Sequence, residues 1–214
     1  MEKVVIRKVL SIGANCLGAD FTNALGVREK GPVDNIADFN IWNSPTLFSS
    51  KFQKEVFRSK YIIKKATDEQ IQKYNFFPTI FNFPNGMNIV HNNFKDLKFK
   101  FSLLRRIINF KKYYKKSIKR QDYWYVYSLD FLDEELSENR INQLRNQLPE
   151  VCRDKLIILA IRAHNDLFKK YFKYYLELDD EKEYRWKNKR QAEEIAELLF
   201  QKYNLSFQKT GKNQ

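Results

Sequence analysis

Two short, nearly unbroken apolar runs constrain the fold more than any other feature of this chain. One is DYWYVYSLDF at residues 122–131 and the other LIILAIR at residues 156–162. Both are rich in β-branched and aromatic residues and read as buried strands. Helical patterns surround them at residues 96–120, 133–147 and 185–203, the last with apolar Trp186, Ile195, Leu198 and Leu199. Strands alternating with helices imply an α/β chain.

The N-terminal stretch has the same character. Residues 4–12 are rich in β-branched side chains and read as a strand. Gly13-Ala14-Asn15-Cys16 breaks it. Leu17, Phe21, Ala24 and Leu25 then recur at helical spacing, and Gly26 suits the C′ position that closes a helix. The predicted unit is strand, tight turn, and a helix opened by Cys16. A second helix is predicted over residues 44–57, with Ser44 as N-cap and Pro45 at the first helical position. Asn85-Gly86 predicts a hairpin pairing residues 79–83 with 87–91. With six Gly and five Pro, the chain offers few linker signals. A single domain over residues 1–207 with a polar tail at 208–214 is expected.

Position makes Cys16 the leading candidate for chemistry. A thiol at a helix N-terminus faces the positive end of the macrodipole and unpaired backbone N–H groups. That setting favours the nucleophilic thiolate, and the same N–H groups suit the oxyanion of a tetrahedral intermediate. Asn15 adds a side-chain donor. A cysteine nucleophile needs a base, and the chain has only two histidines, His91 and His164, each following a predicted strand. Cys152, the other cysteine, lacks such a layout and reads as a packing residue. No apolar run reaches the length of a membrane span and no leader pattern opens the chain, so a reducing, cytoplasmic setting without a Cys16–Cys152 disulfide is expected. The spacing of Cys and His matches no zinc motif, and no cofactor or metal is expected.

Further residues carry a family resemblance. Ser11-Ile12-Gly13-Ala14-Asn15-Cys16, then Leu25-Gly26-Val27-Arg28, then Gly31-Pro32-Val33-Asp34-Asn35-Ile36, resembles the opening of bacterial proteins described as papain-like cysteine peptidases. That family reads S-[IL]-G-x-N-C, a helix ending near L-R, then P-F-D-W-[IL]. A histidine, a K-[FY]-x-x-R-R helix and a hydrophobic strand follow. Their counterparts here are His91, Lys98-Phe99-Lys100 with Arg105-Arg106, and residues 123–129, in the same order over residues 4–165. Val33 and Asn35 stand where the family has Phe and Trp, and Asn92 follows His91 where an acidic residue is common.

The resemblance implies a thiol peptidase or acyl transferase acting on an acyl, peptide or saccharide-linked substrate, with a link to surface-polysaccharide metabolism. Cys16 would be the nucleophile, His91 the base and Asn15 an oxyanion donor. Asp34, in the family-like loop, is the first choice for the acid that orients the base, and Asp130 the alternative. Arg105 and Arg106 are implied to have a structural or anion-contacting role near the site. The fold expected is α/β (or α+β): a central sheet flanked by helices, papain-like or doubly wound, with the nucleophile at a strand–helix turn.

Charge placement supports a rival reading. The net charge is +13, yet residues 51–120 alone hold 18 Lys/Arg against four Asp/Glu. Residues 98–120 hold ten Lys/Arg and no acid, while Phe99, Leu103, Ile107, Phe110 and Tyr114 recur every three or four residues. One face of that helix should bury and the other stay basic. The alternative is therefore a non-catalytic protein whose basic segment 98–120 binds an anionic partner such as nucleic acid, lipid or polysaccharide.

Overall fold

The two apolar runs become the middle strands of a parallel sheet. In the computed structural model, residues 2–13, 16–29, 31, 37–38, 40–74, 76–90, 96–120, 122–130, 137–161, 166–178 and 189–209 are described. In chain order the elements begin with β1 (Val4–Ile6), β2 (Lys8–Ser11), α1 (Cys16–Ala24), β3 (Arg28–Glu29) and β4 (Ala37–Asp38). A 3-10 helix (Ile41–Phe48), α2 (Ser50–Phe57), β5 (Ile62–Lys65), α3 (Asp68–Tyr74), β6 (Thr79–Asn82) and β7 (Asn88–Ile89) follow. Next come α4 (Asp96–Lys119), β8 (Tyr123–Asp130), α5 (Glu138–Gln147), α6 (Glu150–Arg153) and β9 (Leu156–Ile161). The chain closes with α7 (Asp166–Tyr171), β10 (Tyr174–Leu178), α8 (Lys189–Tyr203) and β11 (Leu205–Phe207).

Five strands form the central sheet in the order β10-β9-β8-β2-β3, all parallel. Ranked by order of use and read from the β3 edge, they run 2-1-3-4-5, a doubly wound order. The register pairs Leu10 with Tyr125 and Val126 with Ile157. Apolar residues on both faces explain the runs. Along β8, Tyr123, Tyr125, Tyr127 and Leu129 point into one core and Trp124 and Val126 into the other. All six residues of β9 are buried, alternating between the same two cores.

Helices cover both faces. Phe21 of α1 and Ala192, Ile195 and Leu199 of α8 pack on the Trp124 face, while Leu198 of α8 stays exposed. Phe99, Leu103, Ile107 and Phe110 of α4 pack on the Tyr125 face, with Ile141 of α5 and Phe168 beside them. The expected stripe of α4 is thus the buried one. Between β3 and α4 the chain builds a second, antiparallel sheet in the order β4-β7-β6-β5, whose Phe81 and Ile89 join the core under α4. The Asn85-Gly86 hairpin is present: Phe81 pairs with Ile89, and Gly86 takes a φ of 82°. Gly26 closes α1 at a φ of 70°, its N–H donating to the Asn23 carbonyl.

One predicted helix is two. Pro45 sits inside the 3-10 helix, and a separate α2 starts after Ser49, whose hydroxyl accepts from the Phe52 N–H. Proline fits an early helical position, but the next good capping residue restarts the helix. Among the described residues, no helix is long and apolar enough to cross a membrane.

Candidate functional site

In a doubly wound sheet, ligands bind beyond the carboxyl ends of the strands, where neighbouring strands send their connections to opposite faces. That point here lies between β2 and β8. β2 leads into α1 on the Trp124 face, and β8 leads toward α5 on the Tyr125 face. Cys16 is the first residue of α1, so the backbone places it at this point. The strand and the helix of the predicted unit are therefore found, with α1 starting beyond the carboxyl end of β2.

Two glycines let the end of β2 and the start of α1 lie close on the sheet. The Ile12 N–H still donates to the Val126 carbonyl at 2.9 Å, so the ladder runs one residue past β2. A Cβ on the next residue, Gly13, would lie 3.1 Å from the Ser128 amide nitrogen and 3.4 Å from Tyr127 Cα. Any side chain there would push the two strands apart. In the first turn of α1, a Cβ on Gly18 would meet Val126 Cγ1 at 3.3 Å and Ser11 Oγ at 3.5 Å. Ser128 Oγ would be 3.7 Å away. The start of α1 thus rests directly on β2 and β8.

Ser11 opens the family-like motif but, like Ser128, was assigned no role in the site from sequence. Each is 1 % exposed, and both hydroxyls border Gly18 under the first turn of α1. The Ser11 hydroxyl has no hydrogen-bond partner among the described residues. A buried hydroxyl is normally paired. The signal in the sequence is a serine within or closing an apolar strand: Ser11 ends β2, and Ser128 lies two residues before the end of β8. Thr22, also in α1, is satisfied, because its hydroxyl donates to the carbonyls of Gly18 and Ala19.

The other predicted site residues divide as follows. Asn15, Asp34, His91 and His164 lie outside the described residues. Asp130 is the last residue of β8, level with Ile161 at the carboxyl edge. Ile161 ends β9 three residues before His164 in the chain. β4, which follows Asp34, pairs with β7, which precedes His91, with Ala37 opposite Ile89. Arg105 is exposed and Arg106 half-buried on α4, across the sheet from α1.

Cys152 contrasts with Cys16. It is a free thiol with no exposure, in α6 before the amino end of β9, and burial pushes its pKa well above the usual value. The packing role expected for it is the one observed. Among the described residues, no group of three His, Cys, Asp or Glu side chains could hold a metal ion.

A second feature lies on α4. Its outer face borders a groove of about 530 Å³ lined by Lys111, Lys112, Lys115, Lys116 and Lys119, with Ile108 and, from α2, Gln53. The Lys111 ammonium donates to the Gln53 side-chain carbonyl. Comparison with protein-family models, curated proteins and solved structures finds no match for this chain.

Proposed function

We propose that the chain is a cysteine-dependent hydrolase or acyl transferase with Cys16 as its nucleophile. The observation that carries this reading is the start of α1 at the switch point of a doubly wound sheet. There Gly13 and Gly18 bring the helix onto β2 and β8, above a Ser11 hydroxyl that has no partner among the described residues. Crevices of this kind are where such sheets bind ligands. A helix start supplies N–H donors that favour both a thiolate and an oxyanion.

The reaction runs in two steps. The Cys16 thiolate attacks a carbonyl carbon and forms the S–C bond. The base, His91 or His164, holds the thiol proton and returns it to the leaving group as the C–X bond breaks. Water or another acceptor then attacks the thioester, the same histidine takes the acceptor's proton, and the thiolate is released. Asn15 and the first N–H groups of α1 hold the oxyanion, and Asp34 or Asp130 orients the histidine. The family resemblance suggests an acyl, peptide or saccharide-linked substrate. A reducing cytoplasm would keep Cys16 in the thiol state this chemistry needs.

The lysine groove favours a second reading, a non-catalytic anion-binding protein. Labelling with a broad electrophilic acyl probe, read by intact mass and peptide mapping, separates the two. A thiol enzyme gives one adduct, on Cys16, absent in Cys16→Ala. The adduct forms about a hundredfold more slowly when the histidine acting as base is changed to alanine. Adducts spread over lysines and unchanged by Cys16→Ala would support the binding protein.

A further inference from the structure

We propose that the α2–α4 face is a membrane-contacting surface that binds anionic lipid through its lysines and inserts the apolar side chains beside them. This proposal does not depend on the role of Cys16. The outer ridge of α4 changes character along its length. Phe101, Ile108 and Lys115 recur every seven residues, which puts them on nearly one line of the helix. Phe101 is 66 % exposed and Ile108 56 % exposed. From Lys111 onward the same face carries the five lysines of the groove. Phe57, at the end of α2, is 65 % exposed, with the Lys100 ammonium 5.4 Å from its ring centroid. Cations and large exposed apolar side chains therefore share one face.

The chemistry of that mixture selects the partner. Every cation lining the groove is a lysine, a flexible point charge, whereas planar recognition of bases and phosphates favours the arginine fork. The groove lining itself adds one amide and one isoleucine and no aromatic ring to stack on a base, while Phe57 and Phe101 lie on the same face outside it. An anionic bilayer presents a diffuse layer of negative head groups over an apolar phase. It accepts both the ammonium groups and Phe57, Phe101 and Ile108. Chain-level charge agrees, since residues 51–120 hold 18 Lys/Arg against four Asp/Glu.

The test is flotation of the full chain with phosphatidylcholine vesicles, with or without phosphatidylserine, beside duplex and single-stranded oligonucleotides and inorganic phosphate. Binding is expected only to the phosphatidylserine vesicles. Each lysine of the groove changed to glutamine should weaken it by about fivefold. Phe101→Ser with Ile108→Ser, at unchanged charge and at exposed positions, should weaken vesicle binding and leave any oligonucleotide binding intact. Failure to float with phosphatidylserine vesicles would overturn the proposal. So would binding indifferent to the lysines, or to the two apolar side chains. Tighter binding to oligonucleotides than to vesicles would instead identify a nucleic-acid surface.

Discussion

Gly13 is the residue on which the close approach of the chain to β8 depends most. Its missing Cβ would sit 3.1 Å from a backbone nitrogen of β8, which cannot move aside as a side-chain tip can. Gly13→Ala is expected to cost about 1–3 kcal/mol in urea unfolding, the range for overpacking a tight site. Ser11 should behave in the opposite sense. Its buried hydroxyl has no partner among the described residues, so Ser11→Ala is expected to raise stability by about 1 kcal/mol. A loss of stability would show that the hydroxyl is paired in solution. Glu29, on the edge strand β3, makes a pH-dependent contribution. Burial raises its pKa, against the lowering effects of Lys8, the Tyr113 hydrogen bond and Lys116. The folded state therefore favours the protonated acid. Its contribution to stability is complete below the usual carboxylate value of 4.5 and is lost as pH rises through the raised folded value. Against Glu29→Gln, the natural chain should lose relative stability with rising pH across that window, measured by urea unfolding at several pH values.

Elements were legible where the periodicity was long or the turn chemistry specific. In α4 the three- and four-residue spacing of Phe99, Leu103, Ile107 and Phe110 is the buried stripe. Phe99 stacks on Phe81 of the antiparallel sheet with ring centroids 4.0 Å apart. Phe99→Ala should cost about 3–5 kcal/mol in urea unfolding and weaken the packing of both elements. Asn85-Gly86 revealed its hairpin because only a few residues accept the positive φ needed there. Short strands gave no such signal. β5 reads Ile-Ile-Lys-Lys without alternation and is exposed throughout, and β3 and β4 are two residues each. β10 is five residues of Tyr174–Leu178, too short for periodicity to separate strand from helix. Ser11, although it opens the family-like motif, and Ser128 carried no role in sequence, because a serine within an apolar strand has no meaning until its neighbour across the sheet is known.

At the scale of the molecule, the α/β class followed from local pattern but the strand order did not. The order β10-β9-β8-β2-β3 depends on pairing β2 with β8, between which the chain builds the whole antiparallel sheet. No local rule reports a contact at that separation, so sequence alone left papain-like and doubly wound arrangements both open. The strand order turns Cys16 from a residue after a glycine into one at the switch point, the place where doubly wound sheets generally bind ligands. It also separates the two thiols: Cys16 opens α1 at the carboxyl edge, while Cys152 is enclosed before the amino end of β9. Their rates of alkylation by iodoacetamide, followed by peptide mass spectrometry as a function of pH, test the central claim most directly. An ordinary thiol near pKa 8.5 is only about one-hundredth thiolate at pH ~6.5. Cys16 should react readily there, with a midpoint well below 8.5, while Cys152 reacts only as the chain unfolds. Equal rates at the two cysteines, both following unfolding, would contradict a nucleophilic Cys16.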